Sequence, residues 1–267
     1  MLTERRMLRA AALSYLALLL VIPLGMVFWT AFKDGAQPVL AALTRPAAVS
    51  ALLLTVGIAV IAVAANTLAG VWCALQLVRG RFPGKALLNV LIDLPFAVSP
   101  VVVGLALLVV YGRAGWWGEW LIGHGLPVIF SVPGLVLATA FVSLPFVVRE
   151  VVPVLRELGI EQEQAAATLG ASSVQILWRI TLPSIRRAIA YGVVLTTARA
   201  LGEFGAVSVV SGRLAGRTQT LTLYVEERFQ AFDLTGAYAA SIVLAVLALL
   251  TLVAMRSLAR LPAERAA

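Results

Sequence analysis

Charge is what this sequence has least of. Asp, Glu, Lys and Arg supply 13% of its 267 residues, against roughly 25% in a soluble domain. With 61% hydrophobic residues and a mean hydropathy of +0.97, that deficit excludes an ordinary water-soluble fold and makes membrane lipid the solvent. Cysteine is nearly absent too. The single Cys73 excludes an intrachain disulfide and, inside an apolar run, reads as a packing residue. The single histidine, His124, has no Cys, Asp or Glu cluster around it, so it reads as a surface residue and no metal site is expected. Of two lysines, Lys33 follows Phe32, and Lys85 follows Gly84 but precedes Ala86. Neither completes the G-x-x-x-x-G-K-[ST] phosphate loop, so any ATP hydrolysis belongs to another subunit. There is no G-x-S-x-G, H-E-x-x-H or paired-cysteine signature, which leaves an enzyme without support and calls for no cofactor. No tandem repeat or low-complexity tract is present. The net charge of +8 could suit nucleic acid or an acidic surface. The arginines lie between apolar runs instead of on one basic face, so nucleic acid is set aside.

What is present is a series of apolar segments with charged interruptions. A helix needs about 20 residues to cross a bilayer, and six segments meet that length, at about 9–32, 50–78, 87–111, 134–152, 186–211 and 236–256. Arg5, Arg6 and Arg9 precede the first, as in a signal peptide. Its apolar run is too long for a cleaved leader and no small-x-small site ends it, so it reads as a retained anchor. Six spans put both ends on one side. Fourteen of the 21 basic residues then fall on that side: Arg5, Arg6, Arg9, Arg79, Arg81, Lys85, Arg149, Arg156, Arg179, Arg186, Arg187, Arg256, Arg260 and Arg265. Lys33, Arg45, Arg113, Arg213, Arg217 and Arg228 fall opposite, and Arg199 is mid-span. The positive-inside rule places both termini and the 153–185 segment in the cytoplasm. Trp116, Trp117 and Trp120, in the outer loop 112–133, read as an interfacial belt.

The cytoplasmic stretch EQEQAAATLGASSVQILWRITLP, 161–183, is too polar to cross a membrane and too rich in alanine and leucine for a wet loop. Leu155, Leu158, Gln162, Ala165, Ala166 and Leu169 fall at helical spacing. Gly170 follows where a helix would stop, because glycine takes the left-handed conformation without a Cβ clash. Ser172 and Gln175 then form a capping-box pattern for a second helix, with Val174, Leu177, Trp178 and Thr181 as its apolar face. Pro183 is expected to end that helix. A helix–helix link usually takes about 2–8 residues, so a capped pair of helices reads as a docking element more readily than as a connector.

Here the sequence resembles the inner-membrane permeases of ATP-binding-cassette (ABC) importers. Their signature is Glu-Ala-Ala, three residues, Gly, nine residues, Ile-x-Leu-Pro. This chain has Gln164, Ala165, Ala166, Gly170, Ile180, Leu182 and Pro183 at that spacing. Gln164 stands where the family usually has glutamate, and Glu161 or Glu163 could take over its contact. The resemblance implies an all-α membrane protein with six transmembrane helices, the type I importer architecture, and 153–183 as the cytoplasmic coupling segment that seats in a groove of the ATPase. It divides the chain into 1–46, a tail, first span and outer loop; 47–256, the transport domain; and 257–267, a cytoplasmic tail. DLPFAVSPVVVGL (93–105), VPGLVLATAFVSLPFVVREVVP (132–153) and ARALGEFGAVSVVSG (198–212) look most like the W-type permeases of sulfate/thiosulfate importers. Molybdate and tungstate permeases share RALGEFG but diverge after it. The implied partners are a sister permease of the T type, two copies of an ATPase subunit and a periplasmic sulfate-binding protein. A stand-alone secondary anion transporter stays open, since such folds use broken helices.

Four residues stand out as candidates for a path or gate. Pro95 and Pro100 are expected to kink the third span, lining the path or fitting a neighbour. Arg199 and Glu203 are four apart in the fifth span and can pair on one helical face, either as a neutralised brace or as a path in which Arg199 attracts a dianion. Asp93 reads as a wet, snorkelling residue near the cytoplasmic end. In the outer segment 211–229, Arg213 and Arg217 with Thr218, Gln219 and Thr220 offer anion-binding donors; alternatively Arg213, Arg217, Glu226, Glu227 and Arg228 make a solvated face, and the resemblance implies docking of a periplasmic binding protein there.

Overall fold

The computed structural model describes residues 2–260, with side chains over 6–257. Residues 261–267 of the expected C-terminal tail lie outside that range. Among the described residues every regular element is helical. α1 (Leu2–Leu16) runs through a π turn at Ala17–Val21 into α2 (Ile22–Phe32), followed by the short α3 (Ala36–Leu43). α4 (Pro46–Arg79) is 34 residues long and starts at a proline, where the missing N–H has no helical partner to lose. α5 (Lys85–Ala97), α6 (Pro100–Tyr111) and α7 (Gly118–Gly123) precede α8 (Val132–Glu157). α9 (Glu161–Thr168) and α10 (Ser173–Ile176) lead through a π turn at Leu177–Thr181 into α11 (Leu182–Leu201), then α12 (Gly205–Val210), α13 (Leu221–Gln230) and α14 (Leu234–Arg260).

Lipid gives helices no hydrophobic reason to associate, so close packing of small residues must do it. α8 is the central helix, packed between α4 and α11. Its Val147 fits between two glycines: a Cβ added to Gly70 of α4 would lie 2.8 Å from Val147 Cβ, and one on Gly192 of α11 would lie 2.8 Å from Val147 Cα. Around it, Ala74, Leu77, Ile92, Val148, Val151, Leu155 and Ile185 close the core at the end carrying α9, and Cys73 packs against them as expected. At the other end Ile58, Val103, Leu135, Val142, Ala206, Val207 and Val210 form a second core.

Four described helices are long and apolar enough to cross a membrane: Arg6–Phe32, Pro46–Arg79, Val132–Glu157 and Leu234–Ser257. The expected third span 87–111 is not one helix. α5 and α6 meet at a bend of 114° across Val98 and Ser99, and counting the pair as one span makes five. Pro100 is the reason: it opens α6, and Ser99 before it is pushed to an extended ψ of 135°. The expected fifth span 186–211 is also interrupted, since α11 ends at Leu201 and α12 starts at Gly205. With Arg186, Arg187 and Arg199 among its residues, α11 falls outside the apolar set. Pro183 does not end the helix begun at Ser173. The Leu182 N–H reaches back to the Leu177 carbonyl in a π turn, which carries the chain past the proline that an α-helical ladder would not admit.

Candidate functional site

The segment after α8 is built from local groups. α9 ends in a Schellman turn, in which the Gly170 N–H donates to Ala167 O and the Ala171 N–H to Ala166 O, both at 3.0 Å. Gly170 takes φ +84°, a conformation that costs a side-chain-bearing residue strain. The capping box forms as the sequence predicts: Ser172 N–H donates to Gln175 Oε1 at 2.9 Å, and Gln175 N–H to Ser172 Oγ at 3.4 Å. Much of the expected apolar faces is left uncovered, as a docking element requires, although Leu155 is buried. α9 buries none of its residues. Leu169 is 89% exposed and Trp178 67% exposed, and Val174 is exposed beside them. Of the face expected on the second helix, Thr181 is buried and Leu177 half-buried. The segment therefore presents large apolar side chains to its surroundings.

The residues expected to couple to an ATPase divide. Glu161, Gln164, Ala165 and Pro183 are exposed, while Ala166, Ile180 and Leu182 are half-buried. Glu163 turns back toward the bundle. Its Oε1 accepts from Thr181 Oγ1 at 2.9 Å, and its Oε2 lies 3.1 Å from Arg79 Nε. Sequence reasoning named Glu163 but not Arg79, which is 84 positions away.

The second group of candidates lies where helices break. Arg199 and Glu203 do pair, Nη1 to Oε2 at 2.5 Å. They are not on one continuous helix, because Gly202 caps α11 and Glu203 sits in the turn beyond it. Glu203 is buried. Its Oε1 accepts the Ala206 N–H at 2.9 Å, satisfying a free donor at the start of α12, and its carbonyl accepts Thr222 Oγ1 at 2.9 Å. Thr55, Thr139 and Thr220 surround it. The other break lies alongside: a Cβ on Gly205 would stand 2.9 Å from Pro100 Cβ. The structure thus joins Pro100 to the Glu203 turn. Pro95 is buried within α5, away from the break at Ser99.

Two further polar groups were not anticipated. Arg149 of α8 reaches Asp93 of α5 in a two-pronged pair, with Nε 2.7 Å from Oδ1, and also donates to Asn89 Oδ1 at 3.2 Å. Asp93 is therefore an interhelical partner as well as a wet residue, with 41% of its side chain exposed. Asn66 of α4 donates to Ala140 O and to Ser143 Oγ of α8, each at 2.9 Å. At the end opposite α9, the segment 211–229 is more folded than expected. Thr218, Gln219 and Thr220 are buried, and Thr218 Oγ1 accepts the Leu214 N–H at 3.1 Å. Arg213 pairs with Glu226 at 3.1 Å. Asp233 meets Arg45. Burial alone would raise the Asp233 pKa, but the Arg45 hydrogen bond, the Gly236 N–H and the charges of Arg45 and Arg228 hold it below the usual carboxylate range. Trp116, Trp117 and Trp120 are exposed, as an interfacial belt requires, and His124 lies against Trp120 with ring centroids 4.5 Å apart.

Residues 66–263 match the model of the family described as binding-protein-dependent transport system inner membrane component. The chain belongs to this permease family. The permease is 51% identical over 247 residues to the sulfate transport system permease protein CysW of Synechocystis sp., covering 92% of this chain and 90% of that one. It is 49% identical to CysW of Escherichia coli (strain K12), over 88% and 81% of the two chains. CysT of the same organism is 38% identical, over 92% and 89%, so this permease is more similar to the W type than to the T type. A chain of a bacterial ABC transporter involved in import of the acidic polysaccharide alginate superposes with a TM-score of 0.79 at 19% identity, over 97% of both chains. That likeness fixes the fold as that of an ABC importer permease.

Proposed function

We propose that this chain is a permease subunit of an ATP-driven importer that moves sulfate, with thiosulfate as an alternative substrate, across the inner membrane by alternating access. The observation that carries the reading is the capped segment 161–181, which turns Leu169, Val174 and Trp178 outward in a chain half identical to sulfate permeases. An apolar patch of this kind on a polar end calls for a protein partner. The partner is an ATPase subunit present in two copies, since this chain has no phosphate loop of its own. Glu161, Glu163, Gln164, Ala165, Ala166, Gly170, Ile180, Leu182 and Pro183 form or support the coupling segment. A sister permease of the T type completes the pathway, and a periplasmic sulfate-binding protein delivers the anion. Both termini and 153–183 face the cytoplasm, with the transport domain at 47–256 between the tail-and-anchor region 1–46 and the tail 257–267.

The path is proposed to pass the paired breaks at Ser99 and Gly202–Phe204, where Pro100, Arg199 and Glu203 lie, with Pro95 on the approach. Arg199, with 30% of its side chain exposed against 2% for Glu203, draws the dianion, and Glu203 limits how tightly it is held. The test is co-purification of the tagged chain with its partners, followed by ATPase assay with binding protein loaded in turn with sulfate, thiosulfate, molybdate and tungstate. Stimulation by sulfate is expected. Stimulation by molybdate or tungstate alone would reassign the substrate, and absence of any ATPase from the purified complex would remove the importer reading.

A further inference from the structure

We propose that Arg79, Glu163 and Thr181 form a latch that fixes α9 to the ends of three membrane helices, making Glu163 a positioning residue for the transmission of ATPase motion. The proposal rests on the coupling reading above and adds to it the device that makes the segment stiff.

A helix that is to pass a push from a docked partner into a membrane bundle must not swing on its connections. α9 is badly placed in this respect. It is eight residues long and buries none of them, so packing does little to hold it. A glycine in the left-handed region stands on each side, Gly159 at φ +65° and Gly170 at φ +84°. What ties α9 down is one carboxylate. Glu163 Oε1 accepts from Thr181 Oγ1 at 2.9 Å and from Arg79 Nη2 at 3.3 Å, and Oε2 faces Arg79 Nε at 3.1 Å. Arg79 Nη2 also donates to the Gly159 carbonyl.

Each partner belongs to a different helix end. Arg79 is the last residue of α4, Gly159 follows the end of α8, and Thr181 closes the π turn that enters α11. These are the three helices that pack around Val147. A displacement of α9 is therefore delivered to the central core and not absorbed in its joints. The Arg79 and Glu163 side chains are each 22% exposed, and Leu155, Leu158 and Ile180 line the hollow about them. Partial burial with charge-assisted hydrogen bonds makes such a pair stronger than an open surface ion pair. The π turn belongs to the same device, since it brings Thr181 onto the carboxylate.

The experiment compares wild type with Glu163→Ala, Arg79→Gln and Thr181→Val in the intact complex, reading three things: ATPase co-purification, sulfate taken up per ATP hydrolysed in proteoliposomes, and amide hydrogen exchange over 161–170. In Glu163→Ala the ATPase stays attached, exchange over α9 accelerates about tenfold, and uptake per ATP falls about tenfold. Arg79→Gln follows it, and Thr181→Val, which removes one hydroxyl and is the variant safest for folding, shifts both readouts in the same direction by less. Unchanged exchange over 161–170 in Glu163→Ala and Thr181→Val would overturn the latch. Faster exchange with wild-type uptake per ATP would overturn its role in transmission. A wild-type chain that carries no ATPase would instead overturn the coupling reading, and the exchange measurement on that chain would still decide whether the latch exists.

Discussion

The chain interrupts its helices at 169–172 and again at 202–204, and the two interruptions satisfy their free backbone groups in opposite ways. The first uses neighbours in sequence: a Schellman turn at Gly170 and a capping box between Ser172 and Gln175. It leaves Leu169 and Trp178 outside. At the second, Gly202 and Phe204 are exposed, but the Glu203 side chain turns inward and is buried. Glu203 caps α12, pairs with Arg199 and takes a hydrogen bond from Thr222 of α13, all while buried. An interruption open to water can be closed locally and can leave its side chains to a partner. One closed by a carboxylate buried among helices has no water to fall back on at that group, so it draws on charge and on distant residues. The first is therefore expected to tolerate change in folding but not in assembly, and the second the reverse.

The largest effect is expected at the second interruption. Glu203→Leu leaves Arg199 without its counter-charge and the Ala206 N–H without its acceptor. Breaking a buried pair in this way costs on the order of 3–5 kcal/mol, read as a lower melting temperature of the purified chain and reduced membrane yield. The double variant Arg199→Leu with Glu203→Leu recovers much of that loss, since no charge is left stranded. A Glu203→Leu chain that melts as wild type would erase the contrast between the two breaks.

At the first interruption the expected losses are in assembly. Trp178→Ala leaves the melting temperature within a degree or so of wild type, because the side chain is outside. It weakens ATPase attachment by roughly 2 kcal/mol, the scale of an aromatic anchor, read as the yield of ATPase in pull-down. Gly170→Val comes next. A β-branched residue resists φ +84° at a cost of about 1–2 kcal/mol, while open space around the glycine spares it any clash. The chain should insert and fold, with pull-down and vesicle uptake both reduced. Normal assembly and uptake in this variant would deprive the bend of its role.

The smallest effect is expected at the end opposite α9, in pH dependence. The Asp233 carboxyl is held below its ordinary value by Arg45, the Gly236 amide and Arg228 despite partial burial. A depressed folded-state pKa contributes stability that is present above the unfolded value, about 3.9, and lost as pH falls through the folded value. Melting temperatures of wild type and Asp233→Asn should therefore differ at neutral pH and converge in acid.

How much of this could be read from sequence follows the same division. The cap at Gly170, the box at Ser172 and Gln175, and the pairing of Arg199 with Glu203 are written within five residues, and all three form. Pro100 marked a disturbance, but a proline does not say whether a helix bends or stops, and here the chain turns a corner of 114°. Pro183 pointed to a helix end, and a π turn carried the helix through instead. The inward turn of Glu163 toward Arg79 and the pairing of Arg149 with Asp93 were illegible, because partners 84 and 56 positions apart meet only once the helices pack. The apolar face of Val174 and Trp178 was legible as a face, and its outward turn agrees with the docking reading. Apolar spacing shows that a face will be covered, not whether by the same chain.

The central claim is that transport through this chain is driven by an ATPase docked on 161–181. It is tested most directly in proteoliposomes holding the assembled complex, with ATP inside and sulfate plus binding protein outside. The account predicts sulfate accumulation that stops when ATP or the binding protein is withheld, and that imposed proton or sodium gradients do not restore. Sulfate accumulation by this chain alone, driven by such a gradient without ATP, would contradict it.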